Sequence, residues 1–103
     1  MLPFPFYDLQ RRKARPAIIM SNDKYNERSE DVVAVPLTSN LWPSEYSMPV
    51  TSLDMEYGEL VMDSNVRIDK VFSVEKRIIS RRIGRVDKKT HTAIRKLLFA
   101  FTK

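Results

Sequence analysis

Cysteine is absent from the chain and histidine occurs once, at His91. The first absence removes disulfides, thiolate zinc sites and cysteine nucleophiles together. The second leaves no histidine pair for acid–base work and no histidine-rich metal site, so neither a metal nor a cofactor is expected. Glycine occurs only at Gly58 and Gly84, which excludes a glycine-rich phosphate loop. No stretch approaches the roughly 18–20 apolar residues that a membrane span requires. The start, Met1-Leu2-Pro3-Phe4-Pro5, lacks the positively charged segment and apolar run of a signal peptide. The expectation is a cytoplasmic protein whose chemistry comes from Arg, Lys, Asp, Glu, Tyr, Ser or Thr.

What is present is positive charge, unevenly spread. The formal net charge is +5. Residues 1–16 hold four basic side chains and one acidic, residues 17–65 two basic and nine acidic, and residues 66–103 twelve basic and three acidic. Two basic ends therefore flank an acidic middle, a distribution that can draw a polyanion to one surface and leave another for different partners. The length of 103 residues fits a single domain, 1–103, and the 43% hydrophobic content suffices for one core.

Short β-branched runs bounded by turn residues point to a mainly β fold. Pro16–Ser21 reads as a strand stopped by a turn at Asn22-Asp23. Asp31–Leu37 reads as a second, whose Pro36 belongs at an edge or near the strand's end because it has no N–H to donate. Asn40–Ser47 reads as a loop, Met48–Leu53 as a strand, and Gly58 as a turn or bulge. Leu60–Met62 and Asn65–Val74 read as extended pieces and Ile79–Val86 as a last strand. Phe4–Ala14 reads as a loop preceded by a stub of first strand. Ile94, Leu97, Leu98 and Phe101 recur at i, i+3, i+4 and i+7, which predicts a C-terminal helix. Asp87 is its expected N-cap, with Lys88, Lys89, Arg95 and Lys96 facing solvent. Short strands with one terminal helix suggest a small curved sheet or partial barrel.

Asn65-Val66-Arg67-Ile68-Asp69-Lys70 carries the clearest chemistry. On a strand, Arg67 and Asp69 would project from one face about 7 Å apart, with Val66, Ile68 and Phe72 on the other. A carboxylate beside a guanidinium can take the proton of a ribose 2′-OH while the cation stabilises the charge developing on phosphorus. Arginine is a poor proton donor, with a pKa above about 12, so its role is charge stabilisation. An isolated Arg-x-Asp is most often a surface ion pair. Arg15 precedes Pro16, which biases it to extended backbone; with Arg11, Arg12 and Lys13 it makes a phosphate-binding loop or a solvated basic turn. Thr38, Ser39 and Asn40 follow a strand end and can hold phosphate oxygens or form a turn. Trp42 and Tyr46 fall in a loop, placed to bind RNA or close an oligomer interface. Phe4, Phe6 and Tyr7 can stack on bases, although core positions suit Phe4 and Phe6 better. His91, on the helix, is structural or faces solvent.

In order and spacing, several segments together resemble the PemK/MazF toxins of type II toxin–antitoxin modules. They are Pro3-Phe4-Pro5-Phe6-Tyr7-Asp8-Leu9, Arg15-Pro16-Ala17-Ile18-Ile19, Val33-Ala34-Val35-Pro36-Leu37-Thr38-Ser39-Asn40, Val66 to Val74 and Ile83-Gly84-Arg85-Val86. The resemblance implies an SH3-like β-barrel with a C-terminal helix, a homodimer, and sequence-specific, metal-independent cleavage of single-stranded RNA to a 2′,3′-cyclic phosphate and a 5′-hydroxyl. It implies a cognate antitoxin whose acidic, partly apolar segment occupies the RNA groove. It implies catalytic roles for Arg15 and Thr38, and for Arg67 and Asp69 as the acid and base of one branch. The chain departs from the family by starting almost at the Pro-Phe-Pro-Phe segment, so its first strand is expected to be short. A barrel that binds RNA or protein without cleaving, and a gyrase-poisoning toxin, are the competing readings.

Overall fold

Strand β3 (Asp31–Thr38) organises the molecule, because every other strand of the larger sheet reaches it directly or through one neighbour. The computed structural model describes residues 2–7, 12–79 and 81–103, and side chains from Arg15 onward apart from Ser80. In chain order the elements are β1 (Leu2–Tyr7), β2 (Arg12–Ile19), α1 (Asp23–Arg28), β3, β4 (Ser47–Val50), β5 (Met55–Gly58), β6 (Ser64–Arg67), β7 (Phe72–Glu75), β8 (Gly84–Val86) and α2 (Lys88–Thr102). The larger sheet runs β1-β2-β3-β6-β4, with β7 also on β3, and β5 pairs with β8 separately. The mainly β architecture with a C-terminal helix is as expected. Among the described residues the strands wrap a core without closing into a hydrogen-bonded barrel.

Pro36 explains how β3 serves two partners on one side. Residues Asp31–Ala34 pair with β7, and Leu37–Thr38 pair with β6. The Val33 carbonyl accepts from Met20 N–H and its own N–H donates to Ser21 Oγ, so Val33 faces the β2 side. By alternation Pro36 faces the other side, at the break between β7 and β6, where no ladder N–H is needed. It lies near the strand's end, as expected, but in a central strand.

Of residues 4–14, expected to be a loop, 4–7 and 12–14 instead lie in strands: β1 and β2 pair antiparallel from Leu2↔Ala17 to Tyr7↔Arg12, and residues 8–11 lie outside the described residues. Pro3 and Pro5 are compatible with it because β1 pairs only with β2 among the described strands. The expected turn at Asn22-Asp23 is the start of α1, with Asn22 Oδ1 accepting from Tyr25 N–H. The strand expected over Met48–Leu53 ends at Val50, where a Thr51/Asp54 capping box turns the chain into β5. Leu60–Met62 is not a strand, and among the described residues of Ile79–Val86 only Gly84–Val86 is one. Gly58 makes the expected turn, with φ of +84°.

The core is built from Ile18, Val35, Leu37, Val50, Val66, Ile68 and Ile94 with smaller contributions around them. Each such aliphatic side chain taken wholly out of water contributes about 1.5–3 kcal/mol. Helix α2 begins at Asp87, whose carboxylate accepts from Thr90 N–H at 2.7 Å. Its Ile94 is fully buried, Leu97 and Leu98 are half-buried, and Phe101 is at the exposed end of the stripe. Ile94 and Ile68 share the core, so the helix seats the short turn that carries Asp69. No described helix is long and apolar enough to cross a membrane.

Candidate functional site

Strand register brings three of the four expected catalytic residues to one face. Directly opposed residues of antiparallel strands share a face, as do alternate residues along a strand. Ala17 opposes Pro36, and Arg15 and Thr38 each stand two residues away along their strands. Thr38 opposes Asn65, and Arg67 follows Asn65 by two. Arg15, Thr38, Asn65 and Arg67 therefore lie on the same side of β2, β3 and β6. Ile18, Val35, Leu37 and Val66 fill the core on the other side.

Asp69 reaches this face by a route other than the expected one. Arg67 is the last residue of β6, and Ile68–Lys70 form a 3₁₀ turn, so the two are not alternate residues of one strand. The turn is needed because the chain must leave β4 and cross to the first half of β3 as β7. Ile68 N–H donates to the Tyr46 carbonyl at 3.0 Å as it turns. The side chains still meet: Arg67 Nε and Nη2 donate to the two oxygens of Asp69 at 2.9 and 2.7 Å. These hydrogen bonds hold the Asp69 carboxyl below its usual range and raise the Arg67 guanidinium, with burial acting the other way on both. Val66 and Ile68 are buried as expected, and Phe72 is half-buried.

Thr38 Oγ1 accepts from Asn40 N–H at 3.2 Å, which leaves the hydroxyl hydrogen able to donate outward. Asn40 Oδ1 in turn accepts from Trp42 N–H at 3.0 Å. The indole of Trp42 is 80% exposed. Tyr46 is half-buried, its ring edge-on to Phe101 at 5.0 Å between centroids. Ser39 and Arg15 line a cleft of about 640 Å³ whose sides include Leu37, Leu60, Arg81 and Arg82. Arg12 and Lys13 lie on β2, not in the expected basic loop, opposite Tyr7 and Phe6. Arg11 lies outside the described residues, as do the side chains of Phe4, Phe6 and Tyr7. His91 is half-buried, with Nε2 donating to the Ile19 carbonyl at 3.3 Å.

Asn65 was not among the expected site residues. Only 5% exposed, it donates from Nδ2 to the carbonyls of Asn40 and Trp42 and so ties the 39–46 loop to the face. An amide between Ser64 and the core residue Val66 was the available signal, since a buried side-chain amide needs partners.

The family model for the PemK-like, MazF-like toxin of type II toxin–antitoxin systems matches residues 2–101. The chain belongs to this family. Solved structures with the PemK/MazF fold match along nearly the full chain. An endoribonuclease in complex with its cognate antitoxin from Mycobacterial species is 24% identical, covering 96% of this chain and 88% of that one, with a TM-score of 0.75. The Mycobacterium tuberculosis toxin MazF-mt6 is 23% identical, covering 97% and 96%, with a TM-score of 0.74. The MazE–MazF structure from Deinococcus radiodurans is 18% identical, covering 98% and 90%, with a TM-score of 0.82. At these identities the likeness is one of fold. No curated protein matches the chain in sequence.

Proposed function

We propose that this PemK/MazF-family chain is a single-domain toxin endoribonuclease of the cytoplasm that cuts single-stranded RNA sequence-specifically without a metal. The register that aligns Arg15, Thr38 and Arg67 on one face carries the reading. Two guanidinium groups and a hydroxyl donor on one surface suit a phosphodiester, because planar guanidinium groups donate to phosphate oxygens in pairs. Arg15 grips the scissile phosphate, and Thr38 donates its hydroxyl to a non-bridging oxygen. Arg67 stabilises the negative charge that builds as the 2′-oxygen attacks phosphorus and the 5′-oxygen departs.

Asp69 is the base, and its ion pair sets a condition on that role. With both oxygens accepting from Arg67 it is a weak proton acceptor. RNA phosphate competes for the same guanidinium, and its arrival frees Asp69 to take the 2′-OH proton. The 5′-oxygen takes a proton from water as it leaves, so the products are a 2′,3′-cyclic phosphate and a 5′-hydroxyl. Arg11, Arg12, Lys13, Ser39, Asn40 and Trp42 extend contact along the strand, Trp42 through base stacking.

The cleft beside Arg15 also suits an acidic, partly apolar antitoxin segment, since Leu37 and Leu60 line it together with Arg15, Arg81 and Arg82, three cations against the one carboxylate of Glu59. Exposed Phe99 and Phe101 support a homodimer that covers apolar surface. Incubating the purified protein with a long RNA in EDTA tests the activity. Discrete fragments with cyclic phosphate ends are expected. Intact RNA would favour a non-cleaving binding barrel, and intact RNA with trapped DNA breaks would favour a gyrase poison.

A further inference from the structure

The cleft beside Arg15 does not end at its own wall. A second, of about 890 Å³, lies between the end of β2, β8 and the first half of α2. Arg82 lines both clefts, so a cationic lining continues from Arg15 and Arg81 through Arg82 into Arg85, Lys88 and Arg95.

The fold sets out these cations deliberately along one path. On β8 the neighbours Gly84 and Val86 are buried and Arg85 alternates outward. On α2, Lys88, His91 and Arg95 recur at i, i+3 and i+7, a stripe beside the apolar one. Arg95 is steadied by donating from Nη2 to Thr92 Oγ1 at 3.3 Å, and the Arg82 guanidinium lies 5.9 Å from the Tyr57 ring centroid. The first cleft also holds Glu59, and the second Asp23, Glu56 and Asp87. Asp87 is engaged in capping α2, and Glu56 reaches Arg85 only at 3.9 Å with both side chains more than half exposed. Among the described residues, Arg81, Arg82, Lys88 and Arg95 have no carboxylate at ion-pair distance.

We propose that the second cleft binds the phosphate backbone of RNA lying to one side of the cut site, so that one strand runs from Arg15 past Arg82 to Arg95. The proposal rests on the RNA reading of the Arg15 face. Guanidinium groups spaced along a groove fit the regular phosphates of a polynucleotide. The contacts go to phosphate, so they lengthen the footprint and add affinity without adding sequence preference.

The test combines Arg85→Gln, Lys88→Gln and Arg95→Gln, all at exposed positions. Three probes are used: a mixed-sequence 30-nucleotide 2′-O-methyl RNA, which cannot cyclise, a short cleavable oligonucleotide centred on a mapped cut site, and polyglutamate as an acidic polypeptide. Binding of the long probe is expected to weaken at least about tenfold near physiological salt. The slope of log affinity against log salt should become shallower by about 2, from about 0.7 per lost phosphate contact on single strands. The ratio of affinities for the long probe over the short oligonucleotide should fall accordingly, and Arg85→Lys with Arg95→Lys should restore it. Wild-type affinity and slope in the triple variant would overturn the proposal, even if RNA is cleaved. So would loss of polyglutamate binding with RNA binding intact, which would make the cleft a protein-docking site. Salt-dependent binding lost in the variant, with no cleavage by either protein, would uphold the cleft and overturn the nuclease reading.

Discussion

Asn65 donates from its buried Nδ2 to the Asn40 carbonyl at 3.2 Å, joining β6 to the loop that follows Thr38. The same nitrogen reaches the Trp42 carbonyl at 3.3 Å, so one side chain holds two points of that loop. Asn65→Ala removes both bonds, each contributing about 0.5–1.5 kcal/mol. A fall in Tm of several degrees is expected, with weaker RNA cleavage. Trp42, the only tryptophan, reports on the loop directly. Its fluorescence anisotropy should fall in Asn65→Ala as the loop moves more freely, whereas unchanged anisotropy would show that the loop holds its place without this residue.

Arg15→Ala should abolish RNA cleavage and growth arrest while the fold survives. Arg15 is exposed and lies outside the apolar core, so the core should stay folded without it. Removing a preorganised donor to a developing charge costs about 100- to 1000-fold in kcat. Cleavage kinetics alongside circular dichroism check both parts. Full cleavage by a folded Arg15→Ala would remove this residue from the site.

The elements most readable in the sequence are those whose period matches their environment. Helix α2 was visible because Ile94, Leu97, Leu98 and Phe101 keep one spacing and Asp87 caps it. Strand β3 was visible because Val32, Val33 and Val35 make a β-branched run. The break after Arg67 was hidden, since Val66 and Ile68 are both buried and keep strand alternation across it. What makes the chain turn there is the need to pair with the far half of β3, a long-range requirement with no local residue signature. The β1–β2 pairing was obscured by Pro3 and Pro5, which argue against a strand unless its edge is free. Residue chemistry exposed Arg15, Thr38 and the Arg67–Asp69 pair singly, and family resemblance assembled them. Asn65 and the path through Arg82 required the register and the clefts.

The ion pair between Arg67 and Asp69 fixes the direction of one pH effect. The folded-state pKa of Asp69 is lowered by its hydrogen bonds from Arg67. A lowered carboxyl pKa contributes stability above its ordinary value of about 3.9, and that contribution is lost as pH falls through the folded-state value. Stability and cleavage should therefore be insensitive to Asp69 between about pH 5 and 8. Below about pH 4 the wild type should lose stability faster than Asp69→Asn does. As the base, Asp69→Asn should lower kcat about 100-fold and leave binding of a 2′-O-methyl RNA nearly intact. A kcat close to wild type would confine Asp69 to orienting Arg67.

Gly58 tests how far the clefts depend on the small β5–β8 sheet. Its φ of +84° lies where side chains with a Cβ are strained, and it opposes Gly84 directly. A Cβ at Gly58 would collide with the Ile83 carbonyl, which belongs to backbone and cannot swing aside. Gly58→Ala should therefore destabilise the fold by about 1–3 kcal/mol, read as a lower midpoint in urea. Displacing Ile83 also displaces Arg82, which lies between the two clefts. Long-RNA binding should then weaken more than the stability loss alone explains, under conditions where Gly58→Ala remains folded. A variant that is destabilised but binds the long probe normally would show that β5 and β8 support the fold without setting the path of the RNA.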